Sequence, residues 1–105
     1  MVRGEIFRLR PPRLKRGHEQ QGGRYGVVVQ ADVFLGLSTV LISPTSTRAA
    51  AAGHRPEIEV DGTLTKVIVE QTNAMDPQRL GPSAGRLDAA EMREVDEALA
   101  LVLGL

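Results

Sequence analysis

The sequence predicts a small, mainly β protein, an antiparallel barrel or sandwich that closes with one C-terminal helix. Short β-branched or alternating segments recur along residues 4–75 with Gly and Pro between them, which is typical of antiparallel β folds. Residues 88–105 instead repeat apolar side chains at helical spacing. A length of 105 residues suits one domain, and we expect residues 1–105 to form it.

The first half of the chain predicts three strands and one long loop. GEIFRL (4–9) alternates well enough for a first strand, and residues 10–23 are predicted to form a loop because they hold two prolines and three glycines. YGVVVQ (25–30) is a continuous β-branched run, which predicts a buried central strand. STVLIS (38–43) is a second such run and is predicted to end at Pro44.

The middle of the chain predicts a loop, a hairpin and a turn. Residues 45–56 have little to define regular structure, whereas residues 57–70 alternate on both sides of the turn signal Asp61-Gly62. QTNAM (71–75) continues as a strand or bend. Residues 76–80 begin with Asp-Pro and predict a turn, with a single helical turn as an option, which the following Gly-Pro ends.

The last segment predicts the helix. Asp88 followed three residues later by Glu91 forms a capping-box pattern. Apolar side chains then recur at helical spacing, at Met92, Val95, Leu99, Val102 and Leu103. We expect this face to pack on the β-sheet.

The composition argues against disulfide-bonded, thiolate-metal, secreted and membrane-spanning proteins. Cysteine is absent, which excludes disulfides and thiolate metal sites. The N-terminus lacks the apolar run of a signal peptide, and no segment approaches the roughly 18 apolar residues of a membrane span. We therefore expect a cytoplasmic protein that has no membrane partner.

The formal net charge of zero conceals a segregated distribution. Residues 1–24 carry seven basic and two acidic side chains, whereas residues 25–85 sum to −2 and residues 86–105 to −3. Most of the basic residues are Arg, whose planar guanidinium suits phosphate and carboxylate groups. The basic N-terminal segment favours a polyanion or an acidic partner, although a solvated surface loop explains the charge as well.

Spacing alone identifies no catalytic motif. His18 and His54 could supply an acid and a base, but nothing in the sequence brings them together. Zinc-ligand spacings, phosphate loops and nucleophile elbows are absent, so we expect no metal site. The hydroxyl-rich run 43–48 follows a buried strand and ends in Arg48, which allows either turn chemistry or hydrogen bonds to phosphate.

Five segments in order along the chain resemble the MazF/PemK family of toxin endoribonucleases, the mRNA interferases of type II toxin–antitoxin systems. They are GEIFRLR at the start, HEQQGGRYGVVVQAD (18–32), LISPTST (41–47), VIVEQTNAMDPQRLG (67–81) and LDAAEMREVDEAL (87–99). Together they span almost the whole chain, and several motifs in order at compatible spacing are specific evidence, whereas one motif alone would be weak.

The resemblance implies an SH3-like barrel with a C-terminal helix, a homodimer and a cognate MazE-like antitoxin. It also implies sequence-selective cleavage of single-stranded RNA without a metal or other cofactor, with mRNA as the expected target and rRNA and tRNA as open alternatives. Attack of the ribose 2′-OH on the adjacent phosphorus would leave a cyclic phosphate and a 5′-OH.

The family's functional positions fall on named residues of this chain. Arg24 and Thr45 are the implied catalytic pair: Arg24 would stabilise charge on phosphate oxygens, and Thr45 would position the phosphate or the 2′-OH. The register leaves Ser46 and Thr47 open as the hydroxyl that acts. The predicted RNA-binding residues are Arg13, Lys15, Arg16, His18, Gln20, Tyr25, Ser46, Thr47 and Gln71.

Some positions of this chain depart from the family pattern, and they bear on which RNA sequence is cleaved. Tyr25 stands where the family usually has Pro, and Gly26 stands where it usually has an apolar residue. Tyr25 could add a base-stacking surface or alter the cleavage sequence.

Two alternatives to the nuclease remain at this point. A CcdB-like gyrase poison shares the barrel, but the C-terminus here lacks an aromatic residue. An inactive SH3-like binding module is the second alternative.

Overall fold

The computed structural model describes residues 1–11 and 24–105 as an antiparallel sheet of seven strands followed by one helix. The strands are β1 (Glu5–Leu9), β2 (Arg24–Val28), β3 (Val40–Ser46), β4 (Glu57–Val60), β5 (Thr63–Val67), β6 (Asn73–Met75) and β7 (Leu80–Arg86), and the helix is α1 (Ala89–Leu103). The strand order is β4-β5-β3-β2-β1-β7, with β6 paired to β3. Short 3-10 helices cover Asp32–Phe34, Val69–Gln71 and Pro77–Arg79.

This mainly β half-barrel with a C-terminal helix confirms the predicted fold class. Strand β2 lies in the interior of the sheet, between β1 and β3, as its apolar run predicts. Val27 and Val29 join the apolar cluster that includes Val95 of α1, whereas Val28 joins a second cluster with Ile42. Burial on both faces explains why this strand is continuously apolar rather than alternating.

Strand β3 continues through Pro44 to Ser46, so the prediction that it ends at Pro44 is wrong. Val29 donates its backbone N–H to the Leu41 carbonyl, and the antiparallel alternation then makes Gly26 and Pro44 a non-hydrogen-bonded pair. On its other edge β3 changes partner at this point, from β6 at residues 40–42 to β5 at residues 45–46. The missing N–H of Pro44 therefore interrupts no ladder bond.

Gly26 allows β2 to approach β3 and β1 closely. A Cβ at this position would lie 2.5 Å from Ile42 Cγ2 and 3.1 Å from Leu9 Cδ2. The space that a side chain at this position would need is filled by these two neighbours. This departure from the pattern therefore has a packing reason.

The hairpin predicted at residues 57–70 forms, with shorter strands than expected. Asp61 and Gly62 join β4 to β5 with φ values of 51° and 81°, the positive values that a type I′ turn requires. β5 ends at Val67, and the chain then forms the 3-10 helix Val69–Gln71 instead of further strand. The turn predicted at 76–80 is the 3-10 helix Pro77–Arg79, capped by the Asp76 side chain.

Strand β7 was not predicted from the sequence. Its residues, LGPSAGR, have low β propensity, so no local pattern indicates a strand. It forms by pairing with β1, with register shifts on both sides of Phe7. Gly81 permits the approach, because a Cβ there would lie 2.8 Å from the Arg8 carbonyl oxygen.

Helix α1 begins with the predicted capping box between Asp88 and Glu91 and ends at Gly104 in the left-handed conformation. Val95 and Ala98 are buried against the sheet. The prediction that Val102 and Leu103 pack on the sheet is wrong, because they are 38% and 63% exposed. Within the described residues, no helix has the length and apolar character needed to cross a membrane.

Candidate functional site

A pocket of about 300 Å³ opens where β2 begins and β3 ends. The adjoining ends of these strands supply one side of it and the β4–β5 hairpin supplies the other. Its lining residues are Arg24, Tyr25, Thr45, Ser46, Thr47, Arg48, Val60, Thr63 and Thr65. The structure thus brings together both predicted catalytic residues and three of the predicted RNA-binding residues.

Thr45 is held in the pocket by the main chain of β2. The register of β2 and β3 pairs Gly26 with Pro44, so Tyr25 lies opposite Thr45 one step further along. The Thr45 hydroxyl is almost fully buried and donates a hydrogen bond to the Tyr25 carbonyl oxygen at 3.1 Å. Because its proton is engaged there, this hydroxyl can present only lone pairs to a ligand.

The Ser46 hydroxyl, unlike that of Thr45, accepts a hydrogen bond from the main chain. Its half-buried hydroxyl oxygen accepts from the backbone N–H of Arg48 at 3.2 Å and, within the described residues, donates to no acceptor. Ser46 is therefore equipped to donate a hydrogen bond to a ligand oxygen. Thr47, the next residue, is exposed at the rim.

The charge of the pocket lining is positive. Arg24 and Arg48 are both exposed at its edge, and none of the described lining residues is acidic. Arginines at the ends of strands, next to hydroxyl groups, suit a ligand with anionic oxygens. The charge and hydrogen-bonding groups of the pocket therefore match a phosphate diester.

Tyr25 connects the pocket to two charged neighbours. Its hydroxyl donates to Asp61 Oδ2 at 3.1 Å and accepts from Arg8 Nη1 at 3.1 Å. The Arg8 guanidinium also lies 5.6 Å from the centre of the Tyr25 ring. These contacts tie the tip of the β4–β5 hairpin to β1 and β2 and so hold the two sides of the pocket together.

The side of the pocket that the β4–β5 hairpin forms is not predicted by the sequence. Val60, Thr63 and Thr65 line the pocket although the segment matches none of the family motifs. The alternation of β5 offered a signal, since Thr63, Thr65 and Val67 share one face and Val67 lies in the core. Only the pairing of β5 with β3 brings that face to Thr45.

The remaining predicted residues lie elsewhere. Gln71 is exposed at the end of the 3-10 helix Val69–Gln71 and does not line the pocket. Five predicted RNA-binding residues lie outside the described residues: Arg13, Lys15, Arg16, His18 and Gln20. In the part of the chain that the structure describes, no group of three or more His, Asp or Glu side chains is arranged to hold a metal ion.

An ion-pair cluster, separate from the pocket lining, anchors the loop between β3 and β4. Arg55 donates to Glu70 Oε2 from Nη2 at 2.6 Å and from Nε at 2.8 Å, and to the Ala50 carbonyl oxygen. The hydrogen bonds from Arg55 lower the pKa of Glu70 below its usual value. His54 Nε2 lies 3.7 Å from the same carboxylate, so His54 belongs to this cluster and does not line the pocket.

Comparison with known proteins assigns the family. The sequence profile of PemK-like, MazF-like toxins of type II toxin–antitoxin systems matches residues 2–103. The chain belongs to this toxin family. A Mycobacterium tuberculosis protein named as a candidate toxin is 40% identical over 106 residues, which cover 100% of this chain and 99% of the relative.

Solved structures agree with the fold of this PemK/MazF toxin. A MazE–MazF complex from Deinococcus radiodurans superposes with a TM-score of 0.81 at 21% identity, covering 100% of this chain and 96% of that one. An endoribonuclease bound to its cognate antitoxin, from a mycobacterial species, gives 0.80 at 19% identity, with 100% and 96% covered. At these identities the likeness concerns the fold.

Proposed function

We propose that this PemK/MazF toxin is an endoribonuclease that cleaves single-stranded RNA sequence-selectively and without a metal ion. The observation that carries the proposal is the pocket that unites Arg24 with Thr45 and Ser46 and that, within the part of the chain described by the structure, has no acidic residue in its lining. A site of this composition binds a phosphodiester and stabilises added negative charge on its oxygens. Membership of the toxin family supports the same activity.

In the proposed reaction the ribose 2′-oxygen attacks the adjacent phosphorus and loses its proton, and the 5′-oxygen of the next nucleotide leaves and gains one. Arg24 donates hydrogen bonds to the phosphate oxygens as charge develops, because a guanidinium presents several N–H donors in one plane. Thr45 accepts a hydrogen bond from the 2′-OH, since its own proton is engaged by the Tyr25 carbonyl. Ser46 donates to a phosphate oxygen.

The proposed partners follow from charge and from the relatives. An acidic, partly disordered MazE-like antitoxin would bind the basic segment of residues 1–24 and block the pocket. The antitoxin-bound relatives support such a partner. We further expect a homodimer in the cytoplasm, with mRNA as the main target.

Arg24→Ala tests the proposed activity directly. The purified protein should cleave RNA in EDTA and leave 5′-OH ends, whereas RNA with 2′-deoxy substitution throughout should resist because the attacking hydroxyl is missing. Loss of the Arg24 hydrogen bonds should lower kcat by about 10²- to 10³-fold. Single-turnover cleavage of a labelled RNA, followed by gel analysis of its ends, measures the effect.

Arg93→Ala is the matched control, because Arg93 is exposed on α1 and lines no part of the pocket. It should cleave like the wild type. Wild-type cleavage by a folded Arg24→Ala variant would contradict the role of Arg24. A wild-type protein that leaves RNA intact would contradict the enzyme itself.

The CcdB-like alternative predicts a different result. A gyrase poison would trap cleaved DNA in a gyrase assay and leave RNA intact, whereas the proposed nuclease should do the reverse. The matching family profile is that of PemK-like, MazF-like toxins, so we favour the nuclease. An inactive binding module would fail both assays.

A further inference from the structure

Thr65 differs from the other buried hydroxyl residues of the sheet. Ser43, Thr45 and Thr65 are each at most 3% exposed. Thr45 donates to the Tyr25 carbonyl, and Ser43 donates to Thr72, whose own proton goes to the Val69 carbonyl. Within the described residues, the Thr65 hydroxyl donates to no acceptor, although it belongs to a residue that lines the pocket.

A buried hydroxyl without an acceptor destabilises a fold, and native proteins rarely leave one in this state. Valine has nearly the same shape and a higher β propensity, so packing alone gives no reason for threonine at this position of β5. The position instead matches a hydroxyl whose partner is a ligand in the pocket.

The two sides of the pocket differ in chemistry. Arg24, Arg48 and Ser46 lie on the side formed by β2 and β3, where they can bind phosphate. On the hairpin side the described lining residues are Val60, Thr63 and Thr65, and none of the three is charged. A nucleobase, with apolar faces and hydrogen-bonding edges, fits this uncharged side better than a second phosphate does.

We propose that the hairpin side of the pocket is a base-recognition subsite in which the Thr65 hydroxyl donates to an acceptor on the edge of one RNA base. A volume of about 300 Å³ lies at the small end of ligand sites and suits a single nucleotide. This inference rests on the proposed function, because it names the group that selects a nucleotide at the site of cleavage. Thr65 is then a specificity residue and takes no part in the chemical step.

Binding of the four nucleoside 5′-monophosphates tests the subsite without requiring cleavage. Each is titrated into isotope-labelled wild-type protein and followed by amide chemical shifts. One base should bind more tightly than the others and shift the amides of Val60, Thr63 and Thr65. Thr65→Val should weaken that nucleotide about three- to tenfold and reduce the preference, because one hydrogen bond is lost.

Two further variants separate recognition from structure. Thr65→Ser keeps the hydroxyl and should keep the base preference, whereas Thr39→Val alters an exposed threonine outside the pocket lining and should bind like the wild type. Thr65→Val should also unfold at a urea concentration no lower than the wild type, since it removes a buried hydroxyl that has no acceptor among the described residues. A purely structural role for Thr65 predicts reduced stability with the base preference intact.

Equal binding of all four nucleotides, shifts confined to residues away from the hairpin, or an unchanged preference in Thr65→Val would each overturn the subsite. The RNA cleavage assay is read separately. Cleavage by the wild type together with an unchanged preference in Thr65→Val leaves the nuclease standing and removes the role of Thr65. Absence of cleavage contradicts the nuclease, while the nucleotide titration still decides the subsite.

Discussion

At the scale of single residues, the pocket depends on where each hydroxyl proton is directed. Three hydroxyl residues follow one another at the end of β3, and the sequence offers no way to choose between them. The structure distinguishes them: Thr45 is buried with its proton on the Tyr25 carbonyl, Ser46 has a free donor within the described residues, and Thr47 is exposed. Their proposed roles in RNA cleavage differ accordingly.

The first prediction at this scale concerns Thr45. Thr45→Val should lower kcat for RNA cleavage by roughly 10²-fold, because the 2′-OH loses the acceptor that orients it for attack. Thr45→Ser preserves the oxygen and should retain most of the activity. Thr47→Val is the control at the exposed neighbour, and if its loss equalled that of Thr45→Val the assignment of the hydroxyl would be wrong.

The second prediction at this scale concerns Glu70 and pH. Its pKa is lowered in the folded protein, chiefly by hydrogen bonds from Arg55, so the ionised form stabilises the fold above the ordinary carboxyl pKa. The contribution of this partly exposed ion pair to the free energy of unfolding is about 1 kcal/mol at most, and it is lost as the pH falls through the lowered pKa. The stability difference between wild type and Glu70→Gln should therefore shrink on acidification.

Urea denaturation across the acidic range measures that difference. Glu94→Gln is the control, because Glu94 is exposed on α1 and forms no ion pair or side-chain hydrogen bond among the described residues. A Glu70→Gln difference that stayed constant with pH would show that the ion pair adds nothing to stability.

At the scale of elements, β2 and β3 form the frame on which the pocket is built. Their pairing places Tyr25 opposite Thr45, and Gly26 and Pro44 are the pair next to it. The close approach at Gly26 and the partner change at Pro44 both occur within one residue of the site. Packing and site geometry are therefore coupled at this point of the sheet.

Gly26→Ala should destabilise the protein. The new methyl group would meet Ile42 Cγ2 at 2.5 Å, so the core must shift, and overpacking of this kind lowers the free energy of unfolding by about 1–3 kcal/mol. Gly53→Ala is the control, because a Cβ there meets nothing within 4 Å. Equal midpoints of urea denaturation for the two variants would contradict the packing argument.

At the scale of the whole molecule, the zero net charge conceals a local excess of positive charge among the described residues that line the pocket. Arg24 and Arg48 lie at the pocket, whereas Glu94 and Glu97 are exposed on α1, and Asp96 of that helix pairs with Arg3 at 2.8 Å. A neutral total is therefore compatible with a binding surface for a polyanion, because such a ligand responds to the local potential.

Binding of an acidic antitoxin should accordingly weaken with salt. Raising the ionic strength from about 0.05 M to about 0.5 M should increase the Kd roughly tenfold or more, because screening shortens the reach of the basic groups. Calorimetry or fluorescence anisotropy measures this dependence. A combined alanine variant of Arg13, Lys15 and Arg16 should flatten it, and an affinity independent of salt in the wild type would rule out the role given to these cations.

The sequence by itself determined the elements whose cause is local. Alternation around Asp61-Gly62, the apolar run of β2 and the capping box of α1 each act within a few residues, so the pattern and the structure coincide. The family motifs likewise named Arg24 and Thr45, which the structure brings into one pocket.

Only the tertiary structure decided the features that depend on partners distant in sequence. β7 exists because β1 pairs with it, β3 passes through Pro44 because its neighbour changes there, and Thr65 reaches the pocket because β5 pairs with β3. Strand pairing is non-local, because the residues next to a position in the sequence do not determine which strand pairs with it.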